Sequence, residues 1–299
     1  MKNNSYLQRF GTVELAVRRR GEGIPFVWGH SLMGSMRVED QARLWDWGVV
    51  ERQVEVVRYD ARGHGNSDGS YNPLDYCWDR MAADMLAVAT SVAAERRCAR
   101  FMLGGISMGA ATALQAAVQQ AAQVAALVLV LPPTAWETRP RQSAIYRRLA
   151  WVSGLFGAAP YRLLDLLTIP VREDGRSQLA LHTAKGLAQA KPLHVQAALG
   201  GAARSDMPSP ELLRQLHVPT LILAWEDDTA HPVSTATELA DTLPDVRDLV
   251  ICTPDDISKW ELALGGFVAD IVSLQKVGRQ VARSKRGPAK RKRAAGAAS

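Results

Sequence analysis

Short apolar segments alternate with amphipathic segments along most of this 299-residue chain. Six of the apolar segments are rich in aliphatic, often β-branched residues, as buried parallel strands are: 24–28, 54–59, 101–106, 124–131, 220–224 and 249–252. A seventh, Thr12 to Val17, alternates apolar and polar residues and predicts a half-exposed antiparallel strand. Intervening segments such as 79–94 show the three- and four-residue apolar spacing of helices. The pattern predicts an α/β fold whose mostly parallel sheet is covered by helices on both faces.

The alternation stops between Thr134 and Met207. This interval has helical stretches separated by Pro and Gly, and no segment in it has the pattern of a strand. It contains ten Lys or Arg residues against five Asp or Glu residues. These charges either coat exposed helix faces or attract an anionic substrate. We predict a helical cap at 134–207, inserted into an α/β core formed by 1–133 and 208–275.

A glycine-flanked serine connects one predicted strand directly to an Ala-rich helix, in the run Gly105-Ile-Ser107-Met-Gly109. A sharp strand-to-helix turn leaves room only for small residues beside its central residue, and the two glycines provide that room. The turn would raise the Ser107 hydroxyl above the sheet, at a helix N-terminus where NH groups and the helix dipole favour an oxyanion. The motif therefore predicts a nucleophilic serine.

From about Thr12 to Leu274 the sequence resembles the α/β-hydrolase family, including the position of the cap. The resemblance implies a mostly parallel eight-stranded sheet flanked by helices. The run from Arg58 to Ser67 resembles the family's Asp-x-Arg-Gly-x-Gly-x-Ser loop, which has a structural role. His64 is accordingly expected to belong to this loop and not to act as a base.

The run from Val27 to Gly34 resembles the family's His-Gly segment that follows its third strand, with Ser where Gly is usual at position 31. The resemblance implies that the backbone NH groups of Leu32 and Met108 form an oxyanion hole, with His30 in the same substrate-binding segment. One such donor stabilises the transition state by about 3–4 kcal/mol in known cases.

The segment after the strand at 220–224 resembles the one that carries the family's catalytic acid. Trp225 stands where the family has Gly, and the family's spacing from that position selects Asp228, with Pro232 in register. Asp227 is the alternative acid.

The histidine that the family places after its last strand is missing. Asp256 occupies that position, and no histidine follows His231 in the sequence. A serine hydroxyl needs a base within hydrogen-bond reach, oriented by a third group. The identity of the base therefore decides what chemistry Ser107 can perform.

Three explanations stay open. In the first, another histidine substitutes: His182 or His194 in the cap, or His231 on the acid loop. His231 lies only three residues after Asp228, so reaching both Ser107 and Asp228 looks awkward. Alternatively, Asp256 is the base, because pairing with Asp228 and burial would raise one pKa above the value of about 3.9 of a free Asp. In the third, the fold has lost hydrolysis and binds a ligand or partner.

Ester hydrolysis is the reaction that the resemblance favours. We expect an enzyme that cleaves an ester-like bond of a small or medium hydrophobic acyl substrate, with Ser107, Asp228 and Asp256 at its catalytic centre. The alternative is a non-hydrolytic lyase, cyclase or isomerase, or an inactive ligand-binding member. The sequence shows no metal-ligand constellation and no Gly-rich phosphate loop, so we expect no cofactor and no metal.

The basic character of the chain comes from its C-terminal end. Nine basic and no acidic residues lie from Lys276 onward, which exceeds the formal net charge of +6, so residues 1–275 are net acidic. We predict that 276–299 form a disordered tail that binds anionic surfaces weakly and in a salt-dependent way. Three widely spaced cysteines, no signal-like N-terminus and no apolar run of about 20 residues predict a cytoplasmic protein without membrane partners.

Overall fold

An eight-stranded sheet forms the centre of the computed structural model, which describes residues 5–157, 159–166 and 172–285. The strands are β1 (Tyr6–Phe10), β2 (Val13–Arg20), β3 (Pro25–Gly29), β4 (Glu55–Tyr59), β5 (Phe101–Ile106), β6 (Val124–Val130), β7 (Thr220–Trp225) and β8 (Val246–Cys252). Their order is β1-β2-β4-β3-β5-β6-β7-β8. β2 pairs antiparallel with β1 and β4, and all other pairs are parallel. This is the mostly parallel sheet that the sequence predicts.

Helices cover both faces of the sheet. They are α1 (Met36–Ala42), α2 (Trp47–Glu51), α3 (Trp78–Glu95), α4 (Met108–Gln119), α5 (Arg139–Phe156), α6 (Ala159–Leu166), α7 (Gly175–Gln189), α8 (Pro192–Ala202), α9 (Pro210–Leu213), α10 (Val233–Thr242) and α11 (Ser258–Lys285). Short 3₁₀ helices lie at Pro73–Tyr76, Ala121–Gln123 and Trp136–Thr138. Residues of α3, α4 and α10 pack into one apolar cluster, and residues of α1, α2 and α11 pack into a second. The two clusters are the two core layers of an α/β fold.

The central strands β3, β5, β6 and β7 are buried along their whole length because helices cover both faces. β1 has no counterpart among the predicted strands. It is a mostly exposed edge strand of five residues, so its sequence lacks an apolar pattern. β8 begins at Val246, three residues before the predicted start, because polar residues at this end also pair with β7.

The described residues between β6 and β7 contain helices and no strand, in keeping with a helical cap at 134–207. Arg139 anchors the start of α5. Its Nε donates a 2.8 Å hydrogen bond to the carbonyl of Ser205, its Nη2 donates to the carbonyl of Ala202, and its guanidinium lies 4.2 Å from the ring centroid of Trp78. Both ends of the cap are thereby held against α3 of the core.

The predicted disordered tail starts within a helix. α11 continues through Lys285, so the prediction of disorder is wrong for 276–285, and residues 286–299 lie outside the described part. The first half of α11 is held by buried residues such as Phe267, Val268 and Ile271. Extending a helix that is already formed costs far less than starting one, and Lys, Arg and Ala are good helix formers. No helix among the described residues could cross a membrane.

Candidate active site

Ser107 occupies the sharp turn between β5 and α4. Its backbone has φ 56° and ψ −113°, a conformation that L-residues rarely adopt. The turn is possible because glycines at positions 29, 105 and 109 bring β3, β5 and α4 into backbone contact. A Cβ atom at Gly105 or Gly109 would collide with the backbone of Gly29. The glycine-flanked motif is thus a packing requirement of the turn that presents the serine.

Ser107, His231 and Asp228 form a continuous hydrogen-bonded chain. The Oγ of Ser107 lies 2.7 Å from Nε2 of His231, and Nδ1 of the same ring lies 2.9 Å from Oδ2 of Asp228. The Ser107 residue is buried, and the His231 and Asp228 side chains are mostly buried. The structure therefore brings together two of the three predicted catalytic residues and adds a histidine between them.

The expectation that His231 would be awkwardly placed is wrong. Asp227 has a positive φ of 58°, which turns the chain sharply after β7. Oδ1 of Asp228 then accepts the backbone NH groups of Ala230 (2.9 Å) and His231 (3.2 Å), while its Oδ2 accepts from the imidazole. Because one oxygen holds the loop and the other holds the ring, a separation of three residues is sufficient. The histidine of the acid loop was the available clue in the sequence.

Asp256, the residue predicted as a base, belongs to a different cluster. Its Oδ2 lies 2.6 Å from Nζ of Lys259, its Oδ1 accepts a 2.9 Å hydrogen bond from Ser258, and its side chain is 41% exposed. The hydrogen bonds from Lys259 and Ser258 lower the pKa of this carboxyl, whereas a base would need a raised pKa. The predicted catalytic role of Asp256 is therefore corrected: it is a half-exposed, ion-paired residue that precedes α11.

Asp228 is the acid that contacts His231, and the alternative acid Asp227 is exposed. Burial of the Asp228 carboxyl raises its pKa, but hydrogen bonds from His231, Trp225 and the NH of Ala230 outweigh that effect and hold the pKa well below its ordinary value. The carboxylate stays ionised at neutral pH and can stabilise a protonated imidazole.

Trp225 is a member of the site whose role the sequence did not reveal. Its Nε1 donates a 2.8 Å hydrogen bond to Oδ2 of Asp228. The indole is buried and stacks on Trp260 with a centroid distance of 5.2 Å, and Trp260 in turn stacks on Trp45 at 5.9 Å. A stack of large side chains thus fixes the donor that holds the acid. The replacement of the family's Gly at position 225 was the only hint of this contact.

The two predicted oxyanion donors, the NH groups of Leu32 and Met108, lie in a tight turn and at a helix N-terminus. Met108 is the first residue of α4, so its NH has no acceptor within the helix. Leu32 lies in a turn closed by a 2.8 Å hydrogen bond from the NH of Gly34 to the carbonyl of Ser31.

His30 does not offer a free nitrogen to a substrate, contrary to the prediction. Its Nε2 accepts a 2.9 Å hydrogen bond from the NH of Ala61, which leaves Nδ1 to donate to the carbonyl of Ser31 at 2.8 Å. The ring is buried. His30 therefore ties the turn that contains Leu32 to the loop after β4.

The loop after β4 has the structural role that the sequence implies. Asp60 accepts the NH of Met36 at 2.7 Å and the NH of Asn66 at 2.9 Å, and Arg62 forms a bidentate ion pair with Asp84. The loop thus fixes the start of α1 and packs on α3. The residue expected to be part of it, His64, donates from Nδ1 to the carbonyl of Arg62 at 2.8 Å.

A family model and several solved structures match this chain. Residues 47–253 match the family described as serine aminopeptidase, S33. The chain is similar to a hydrolase from Pseudomonas aeruginosa PA01, with 22% identity, a TM-score of 0.67, and coverage of 90% of this chain and 98% of the other. No curated protein matches the chain in sequence.

Two further solved structures share the fold. One is the enol-lactonase from Burkholderia xenovorans LB400, at 19% identity and TM-score 0.63, covering 90% of this chain and 100% of the other. The other is an esterase from Exiguobacterium antarcticum, at 18% identity and TM-score 0.66, covering 86% and 96%. With its mostly parallel eight-stranded sheet and the match over more than half of its length, the chain belongs to the serine aminopeptidase S33 family of α/β hydrolases.

Proposed function

We propose that this α/β hydrolase cleaves an ester-like bond of a small or medium hydrophobic acyl substrate through Ser107. The observation that carries the proposal is the chain of hydrogen bonds from Ser107 Oγ to His231 Nε2 (2.7 Å) and from His231 Nδ1 to Asp228 Oδ2 (2.9 Å). A nucleophile, a base and a group that orients the base are the parts that serine acyl transfer needs.

The ionised Asp228 accepts the Nδ1 proton of His231, so the lone pair of Nε2 faces the serine hydroxyl. His231 takes the hydroxyl proton as Ser107 Oγ attacks the acyl carbon, and the positive charge on the imidazole is stabilised by Asp228. The NH groups of Leu32 and Met108 bind the oxyanion. The leaving alcohol takes the proton from Nε2, and water activated by His231 then hydrolyses the acyl-enzyme.

Apolar side chains of the cap and the core that join one cluster with Met108 support a hydrophobic acyl group. Half-buried Leu32, Trp136 and Tyr146 pack against the same apolar cluster that contains Met108. Trp136 and Tyr146 come from the cap side, and Leu32 and Met108 from the core side. An esterase and an enol-lactonase are among the similar structures, which favours an ester-like bond.

The alternative of a non-hydrolytic or inactive protein depended on the absence of a catalytic histidine. With His231 in contact with Ser107, no observation favours that alternative.

A fluorophosphonate probe tests the proposal, because it reacts with an activated serine. We expect labelling of the wild type and no labelling of Ser107→Ala, together with hydrolysis of short p-nitrophenyl esters by the wild type alone. Ser273→Ala is the matched control, since Ser273 is an exposed residue of α11. Absence of both labelling and ester turnover in the wild type would overturn the proposed function.

A further inference from the structure

The N-terminal end of the cap helix α7 is fixed to the core. The NH of Gly175, the first residue of α7, donates a 2.9 Å hydrogen bond to the carbonyl of Pro254, in the connection between β8 and α11. Asp174 caps the same helix end, because its Oδ1 accepts a 2.9 Å hydrogen bond from the NH of Ser177. The backbone of the intervening residue, Arg176, is therefore held in place.

Arg176 reaches from α7 to the acid loop, residues 226–231. Its Nη2 donates a hydrogen bond to the backbone carbonyl of Glu226. Its guanidinium carbon lies over the ring of Trp225, 5.7 Å from the ring centroid, within the range of a cation–π contact. No ion pair formed by the described residues includes Arg176. Its guanidinium is therefore directed at the acid loop and not at a carboxylate.

Glu226 is the residue from which the chain turns towards the catalytic acid. Its NH donates a 3.0 Å hydrogen bond to the carbonyl of Cys252 in β8, and its own carbonyl accepts from Arg176. The next residue is Asp227, whose positive φ of 58° makes the turn that precedes Asp228. Both backbone polar groups before this turn are thus paired, one with the sheet and the other with the cap.

We propose that Arg176 is a positioning residue that holds the acid and the base in register with Ser107, so that the cap takes part in assembling the site. The inference rests on the proposed function. Arg176 acts through two groups, the carbonyl of Glu226 and the indole of Trp225, which donates to the acid. A misplacement of about 1 Å can slow an enzyme about 100-fold, so a contact that fixes this loop affects the rate without touching the substrate.

The variant Arg176→Met removes the charged donor but keeps a long, unbranched side chain. On a short neutral p-nitrophenyl ester we expect kcat to fall about tenfold while KM stays within about twofold, because a hydrogen bond from a charged group contributes about that factor. Fluorophosphonate labelling of Ser107 should slow by a similar factor, since it reports on activation of the serine. Unchanged kcat and labelling would overturn the proposal, as would a raised KM at unchanged kcat, which would make Arg176 a substrate contact.

Arg172→Met is the matched control, because Arg172 precedes the same helix but pairs with Asp174 and Asp255 and is 80% exposed. We expect its kcat to stay within about twofold of the wild type. Arg176→Lys keeps a charged donor and should recover part of the activity lost in Arg176→Met. Equal losses in the Arg172 and Arg176 variants, or no recovery with Lys, would contradict a specific role of the guanidinium.

Proton NMR tests the positioning without turnover. The proton shared by Nδ1 of His231 and Asp228 should give a strongly downfield resonance, assigned by its absence in His231→Gln. We expect this resonance to be sharp in the wild type and in Arg172→Met, and broadened or shifted in Arg176→Met. An unchanged resonance in Arg176→Met would overturn the inference even if the enzyme is active. An altered resonance in a protein whose wild type is neither labelled nor active would count against the proposed hydrolysis alone.

Discussion

The indole Nε1 of Trp225 donates a 2.8 Å hydrogen bond to Oδ2 of Asp228, the same carboxylate oxygen that accepts from His231. The carboxylate is therefore held from two sides, by a rigid buried indole and by the imidazole that it orients. Its other oxygen accepts backbone NH groups of its own loop. These contacts hold the carboxylate that orients His231 in place before a substrate binds.

Trp225→Phe should lower kcat by about five- to tenfold while KM changes little. The substitution removes the hydrogen bond to Asp228 but keeps an aromatic ring, and one such bond contributes about 1 kcal/mol. Trp260→Phe is the matched control, because Nε1 of Trp260 has no hydrogen-bond partner among the described residues although its ring lies in the same stack. Steady-state kinetics on a p-nitrophenyl ester measures both. Equal losses in the two variants would assign the effect to packing.

His231→Ala should reduce kcat by about 10³-fold or more, since Ser107 loses its base. Asp256→Asn should leave kcat within about twofold of the wild type, because Asp256 pairs with Lys259 at the surface. Both variants are compared by their kcat on a short p-nitrophenyl ester. A large loss in Asp256→Asn, with activity kept in His231→Ala, would restore Asp256 as the base.

Asp228→Asn should lower kcat by about 10⁴-fold, because an amide does not hold the imidazole in the required tautomer. Asp227→Asn makes the same chemical change at the neighbouring exposed residue and should have little effect. A circular dichroism melt of each variant separates lost chemistry from lost folding. If Asp227→Asn proved the more harmful of two folded variants, the assignment of the acid would be wrong.

Buried His64 predicts a loss of stability on mild acidification. Burial lowers its pKa to about 3 from an ordinary value of 6.5, so between these values the unfolded chain binds a proton that the folded chain does not. The contribution of neutral His64 to the free energy of unfolding is fully present above pH 6.5. It is lost as the pH falls below that value, by about 1.4 kcal/mol for each pH unit.

Urea unfolding between pH 6.5 and 4 measures this slope in the wild type and in His64→Gln, which should show a shallower one. His217→Gln serves as the control, because His217 is exposed and should leave the slope unchanged. A slope in His64→Gln as steep as in the wild type would show that other groups cause the acid sensitivity.

The central strands were predictable because their burial on both faces leaves a local trace. β5 spans Phe101–Ile106 as predicted, and β6 differs from its prediction by one residue at its end. Elements at the edge of the fold have a weaker hydrophobic pattern in the sequence. β1 alternates poorly because its residues are mostly exposed, and α11 extends to Lys285 because helix propagation depends on the turns packed before it.

Within the candidate site, Ser107 and Asp228 could be predicted from motifs, since each lies at the C-terminal end of a buried strand. The base could not, because the contact between His231 and Ser107 joins residues far apart in sequence, and its geometry depends on the turn at Asp227. The contact of Trp225 with Asp228 depends in the same way on a side-chain rotamer fixed by aromatic stacking. Spacing along the sequence alone therefore predicts neither of these two contacts.

The proposed acid and base lie together on a single short loop. Residues 225–231 contain the acid, the base and the indole that supports them, so the full chain of proton contacts needs only this heptapeptide and one serine turn. In such an arrangement the connection between β8 and α11 does not need to carry a base. That connection still affects the site indirectly, because Trp260 follows it in α11 and stacks on Trp225.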